Sequence, residues 1–136
     1  MSESIDRIMR YIPSLVTDEK NELLMKPVDM EEVKEVFKQM EPGKSLGPDG
    51  FTTNFSHACW DFIKEEMLDI VEDSRRTGKV LTAFNATFIT LIPKESGAET
   101  PSKFRPIALC NVIYKIITKA MANRLKFMFP LLVSPE

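Results

Sequence analysis

The apolar pattern of this chain changes period once, and that change limits the folds open to it. The run ATFITLI at 86–92 is short, β-branched and aromatic, and FRPIALC at 104–110 has the same character. Both read as strands, and the polar stretch ESGAETPS at 95–102 joins them into a hairpin with a long loop. Pro93 and Pro106 each lack a backbone donor, so the expected hairpin is short, irregular and at an edge. The remaining apolar periodicity is helical, so the expected class is α+β.

The helices carry start and stop signals. Ile5, Ile8, Met9 and Ile12 recur at helical spacing until Pro13. Thr17 precedes Asp18 and Glu19 as a cap should, which predicts a short helix there. Asp29 and Glu32 make an Asp-x-x-Glu capping pattern ahead of Met30, Val33, Phe37 and Met40, and Pro42-Gly43 ends that helix. After the loop GKSLGPDG at 43–50, the residues Phe55, Cys59, Phe62, Ile63, Met67, Ile70 and Val71 predict one long amphipathic helix. Arg75 and Arg76 suit its last turn and Gly78 its C-terminal stop. Asn111 is expected to cap a final helix running to about Phe129, ended by Pro130.

That final helix has two faces. At ~100° per residue, Ile113, Ile117, Ala120, Met121 and Met128 fall on one side and Lys115, Lys119 and Lys126 on the other. The lysine stripe reads either as a solvated face or as a track for a phosphate backbone. Arg124 falls amid the apolar side, so it is expected to be partly buried and to meet a carboxylate or backbone carbonyls.

Charge is uneven along the chain. Residues 1–74 carry 8 Lys/Arg against 17 Asp/Glu, whereas residues 75–135 carry 10 Lys/Arg against only Glu95 and Glu99. A basic half on an acidic chain points to an anionic partner, or to two oppositely charged solvating surfaces. No apolar run approaches the ~20 residues of a membrane helix. Two cysteines, Cys59 and Cys110, make no disulfide scaffold, so an intracellular, reducing setting, nucleus or cytoplasm, is expected.

Several chemical motifs fail. GKS at 43–45 resembles the end of a phosphate-binding loop, but the required first glycine is Lys38 and the segment follows a helix, not a strand. With His57 as the single histidine and no Cys-x-x-Cys, a zinc site or a Ser-His triad is not expected. His57 reads as a helix-surface residue. Asp61, Asp69 and Asp73 lie along one helix without gathering as metal ligands. No catalytic residue and no metal ligand is therefore assigned.

Three segments remain, and their order matters. GPDGF at 47–51, NATFITLIPK at 85–94 and FRPIALCNVIYKIITKAMANRLK at 104–126 closely resemble reverse transcriptases of non-long-terminal-repeat retrotransposons, nearest to the plant long-interspersed-element type. IPSLVT at 12–17 and the Trp60-Asp61 pair fit the same pattern, and the resemblance runs from about residue 10 to 136. GPDG alone is weakly specific; GPDG, LIPK and FRPI in this order and spacing are strongly so.

The resemblance implies a right-hand polymerase, with these segments forming its N-terminal extension and fingers. On that basis residues 1–42 are an N-terminal helical extension, and residues 43–136 are a partial reverse transcriptase domain with the palm catalytic part absent. Gly47, Pro48, Asp49 and Gly50 match a motif that lies near the template. Lys94 and Arg105 match the fingers positions that contact the incoming triphosphate. Arg binds phosphate oxygens in pairs and Lys acts as a mobile point charge, so the hairpin is expected to set both on one accessible face. Apart from the resemblance they read as two solvated charges beside turn prolines. Lys115, Lys119 and Lys126 are candidate contacts to the nucleic-acid backbone.

The family's activity is RNA-directed DNA polymerisation. The implied partners are an RNA template, a DNA primer, deoxynucleotide triphosphates and the palm segment, with magnesium in the full-length enzyme and no cofactor in this part. The chain departs from the family at Tyr11 and Tyr114, neither of which opens a Tyr-x-Asp-Asp sequence, and it holds no Asp-Asp pair. It is therefore not expected to polymerise alone, and Ile113 and Ile117 are expected to lie uncovered where a palm would pack. The competing reading is a non-catalytic RNA-binding or protein-interaction module derived from such an element.

Overall fold

The computed structural model describes residues 15–43 and 46–133. The helix expected over Ile5–Ile12 lies outside them. Among the described residues the order is α1 (Asp18–Met25), α2 (Met30–Lys38), α3 (Thr53–Ala58), α4 (Trp60–Thr77), α5 (Thr82–Asn85), β1 (Thr87–Pro93), a 3-10 turn (Pro101–Lys103), β2 (Phe104–Cys110), α6 (Val112–Lys126) and α7 (Phe129–Leu132). The class is α+β, with one two-stranded antiparallel sheet. The chain divides into two compact units, residues 1–26 with 122–136, and residues 27–121.

In the smaller unit, Thr17 caps α1, its Oγ1 accepting from the Lys20 N–H at 3.4 Å. At the other end of α1, Arg124 Nη1 donates to the carbonyls of Leu24 at 3.0 Å and Lys26 at 2.5 Å. A helix leaves its last carbonyls without partners, and a guanidinium satisfies them while matching the negative end of the helix dipole. Arg124 is half-buried, as its place in the pattern predicts. The final helix stops at Lys126, earlier than expected. Pro130 does not terminate it; it sits in the first turn of α7, where its missing N–H has no bond to lose.

In the larger unit, Asp29 caps α2 by accepting from the Glu32 N–H at 2.9 Å. The core joins Val33, Val36 and Phe37 of α2, Met67 and Val71 of α4, and Val112, Ile116, Ile117 and Ala120 of α6. The buried stripe of α6 is therefore rotated from the expected one. Ile116 is fully buried, Met121 is 59% exposed, and Ile113 and Ile117 are packed against the core rather than uncovered. Glu72 ties the segment before α2 to α4, accepting from the Val28 N–H at 2.9 Å. Arg75 donates to the same carboxylate at 2.6 and 2.7 Å. Donation to the Glu72 carboxylate holds the Arg75 guanidinium above its usual range, against an opposing desolvation effect.

The expected single helix from Phe55 onward is broken at Cys59 into α3 and α4. Thr52 caps α3 by accepting from the Phe55 N–H at 3.0 Å. Phe55 and Phe62, expected in the apolar stripe, are 50% and 84% exposed. Gly78 ends α4 with φ 66°, as its position predicts.

The hairpin pairs Thr87 with Cys110 through Pro93 with Phe104, without a bulge. It is thus regular, not irregular as its prolines suggested. Lys94 N–H donates to the Lys103 carbonyl at 2.8 Å, which makes that a hydrogen-bonded pair. Antiparallel pairs alternate, so Pro93 and Pro106 fall at non-hydrogen-bonded positions, where an N–H would point outward.

Candidate nucleic-acid and nucleotide interface

The register fixes which residues share a face. Phe88, Thr90, Ile92 and Lys94 lie on one side of the hairpin, opposite Leu109, Ile107, Arg105 and Lys103. Lys94 and Arg105 are thus diagonal neighbours on one face, and both are exposed. Lys94 Nζ donates to the Ser102 carbonyl at 2.7 Å, and the Arg105 guanidinium has no partner among the described residues. Lys103 joins the same face, with Glu95 at 2.7 Å from its Nζ. Lys103 was missed in the sequence, although counting two residues back from Arg105 would have found it. The loop between the strands is held by the 3-10 turn and by Gly97 at φ 75°.

GPDG forms a tight turn closed by the Gly50 N–H to the Gly47 carbonyl at 3.1 Å, with Pro48 and Asp49 at its centre. Asp49 Oδ1 accepts from the Phe51 N–H at 3.1 Å. The turn docks on Asn111, whose Oδ1 accepts from the Asp49 N–H at 3.1 Å and whose Nδ2 donates to the Ala83 carbonyl at 3.0 Å. Gly47 is buried against Asn111, while Asp49 and Gly50 are exposed. Asn111 does begin α6, its carbonyl accepting from the Lys115 N–H at 3.2 Å, but its side chain also serves two distant segments. Sequence pattern shows the first role and not the second.

Lys115 is half-buried on α6, whereas Lys119 and Lys126 are exposed; Lys119 and Lys126 have no partner among the described residues. His57 is exposed, but its ring packs on Phe37 at 4.2 Å, and Phe37 stacks on Trp60 at 4.7 Å. Among the described residues no three His, Cys, Asp or Glu side chains gather as metal ligands. Asp61 faces Lys64 at 3.6 Å and Asp73 faces Arg76 at 2.8 Å. These residues do not fit the magnesium that the resemblance implies for a full-length enzyme. An open cleft of about 420 Å³ between α4 and residues 79–84, lined by Asp69, Asp73, Thr77, Lys79 and Phe84, contains none of the predicted site residues. No helix among the described residues is long and apolar enough to cross a membrane.

Comparison with known proteins places this chain among relatives from transposable elements. No family model matches it. Over 122 residues, 90% of the chain, it is 25% identical to a transposon TX1 uncharacterized 149 kDa protein of Xenopus laevis. Over 103 residues, 76% of the chain, it is 31% identical to the retrovirus-related Pol polyprotein from the type-1 retrotransposable element R2 of Bradysia coprophila. The corresponding R2 polyprotein of Nasonia vitripennis is 29% identical over 102 residues. The chain spans 9%, 11% and 9% of the length of these relatives, respectively.

Proposed function

We propose that this chain is the template- and nucleotide-contacting front segment of an RNA-directed DNA polymerase from a non-long-terminal-repeat retrotransposon. The hairpin acts as the fingers, with Lys94 and Arg105 on the triphosphate of the incoming nucleotide and Gly47–Gly50 beside the RNA template. Lys115, Lys119 and Lys126 follow a nucleic-acid backbone. Within this class the motifs look nearest to the plant long-interspersed-element type. A palm carrying the metal-binding aspartates completes the enzyme. The likeness to Pol polyproteins supports the class. The single observation that carries the site is the register, which sets an exposed, unpartnered Arg105 diagonally beside Lys94 on one face.

Titrating a deoxynucleotide triphosphate against the chain tests this. Each charge-assisted contact is worth roughly 1.5–3 kcal/mol, so Lys94→Ala with Arg105→Ala should weaken binding by at least about tenfold. Equal affinity for the double variant and the parent would remove the triphosphate role.

A further inference from the structure

Phe51 and Phe55 stack on one another beside the GPDG turn, with ring centroids 5.0 Å apart and planes 23° from parallel. Each remains about half exposed, at 51% and 50%. We propose that this pair is a platform on which an unpaired nucleobase of a single RNA strand stacks. The proposal rests on the reading above that the chain contacts nucleic acid, and it adds the recognition element.

The platform is fixed before any ligand arrives. Phe51 is held by its N–H to Asp49 Oδ1, and Asp49 by its N–H to Asn111 Oδ1. Phe55 is held by the Thr52 cap at the start of α3. Ordering two aromatic rings in advance lowers the entropy lost on binding. Nearby in sequence, Asp49, Asn54 and His57 are polar and exposed. Two rings in a polar rim are far smaller than the ~800 Å² per partner of a stable protein interface, yet they match the face of one base. Asp49 beside the platform is acidic, and the cations available to a polyanion lie on α6. Asn111, which holds the turn, is followed one helical turn later by Lys115 and two turns later by Lys119. Base stacking joined to a row of cations along the strand is the general means of gripping single strands.

The test uses the 136-residue chain and a short single-stranded RNA containing 2-aminopurine, whose fluorescence falls when the base stacks. Binding should quench the probe and should weaken steeply with salt. Phe51→Ala with Phe55→Ala should lose the quench and about tenfold in affinity with an unchanged salt slope, while Phe51→Tyr keeps both. Lys115→Gln with Lys119→Gln should reduce the slope and retain the quench. An RNA with an abasic site in place of the stacked base should bind the parent more weakly than the intact RNA, a readout that needs no altered protein, whereas the double Phe variant should bind the two RNAs equally. If the parent binds RNA but the Phe variant matches it in quench and affinity, the platform is overturned and the nucleic-acid reading stands. If the parent binds no RNA at low salt, both are overturned. If removal of the rings changes only self-association, the platform is a protein contact and the proposal is overturned.

Discussion

Gly47 lies directly against Asn111: a Cβ at residue 47 would overlap the Asn111 Oδ1, backbone nitrogen and Cα. The glycine is thus required by close approach, and not by its torsion angles, since it is absent from the glycines with positive φ. The contact closes a route of 64 residues, from a turn before α3 to the junction of β2 and α6. It places GPDG and FRPIALC at one locus, although the sequence separates them by three helices and a hairpin strand.

Gly47→Ala should therefore destabilise the chain. The obstructing atoms are mostly backbone, which cannot turn aside as a side chain does, so the overpacking cost is about 1–3 kcal/mol. Gly50→Ala provides the contrast. It meets no atom within 4 Å and has φ 75°, so its cost is the left-handed strain of roughly 1–2 kcal/mol. Urea unfolding of both variants measures stability. Hydrogen exchange at the Asp49 amide separates them, with protection lost in Gly47→Ala and kept in Gly50→Ala.

Arg124→Ala should cost about 1–3 kcal/mol, the scale of hydrogen bonds to a charged group. That is less than the 3–5 kcal/mol typical of stranding a buried charged partner, because the groups left behind are carbonyls at a helix end. The loss should be local. Amides of α1, residues 18–25, should exchange faster, while those of α2 and α4 keep their protection. Arg124→Lys keeps the charge at the α1 terminus but not the planar fork, and should fall between the two. Uniform loss of protection through α2 and α4 would contradict this assignment.

Features whose cause is local were legible in the sequence. Asp29, Thr17 and Gly78 act within four residues of their targets, and the strands differ from the expected 86–92 and 104–110 by one residue at most. Period also placed Arg124 in an apolar stripe. Features that depend on partners were not legible. Phe55 and Phe62 have helical spacing, but spacing cannot say whether another element covers them. The break at Cys59 carries no Gly or Pro, so no local signal marks it. The proline positions misled because their effect depends on ladder parity, which is known only once Lys94 pairs with Lys103. The double use of the Asn111 side chain spans 62 and 28 residues, and no local pattern encodes it.

Residues 1–136 should not extend a DNA primer on an RNA template, with magnesium and all four nucleotides supplied. Phosphoryl transfer of this kind uses ions clamped between carboxylates to stabilise the attacking and leaving oxygens. The chain has no Asp-Asp pair, its last aspartate is Asp73, and Asp73 faces Arg76. A primer-extension assay beside a longer protein that includes a Tyr-x-Asp-Asp segment gives the comparison. Template-dependent extension by residues 1–136 alone would overturn this placement of the chemistry.

The chain should self-associate through the hairpin and not through α6. Ile113 and Ile117, expected to be uncovered, pack against the core. On the hairpin, Ile89 (71%) and Leu91 (61%) are exposed side by side on one face of the sheet, and each is more exposed than Met121 (59%) of α6. A two-stranded sheet with both outer edges unpaired is a template for further pairing, and an isolated hairpin is marginal without a covering layer. Ile89→Lys with Leu91→Lys should lower association in sedimentation velocity. Stability should shift by no more than about 0.5 kcal/mol per site, the scale of surface changes. By register these two residues lie on the face opposite Lys94 and Arg105. Triphosphate binding should therefore survive in the variant, which separates the association surface from the phosphate site. A parent chain that stays monomeric as its concentration rises, or a variant that associates equally, would show that the hairpin is not the sticky element.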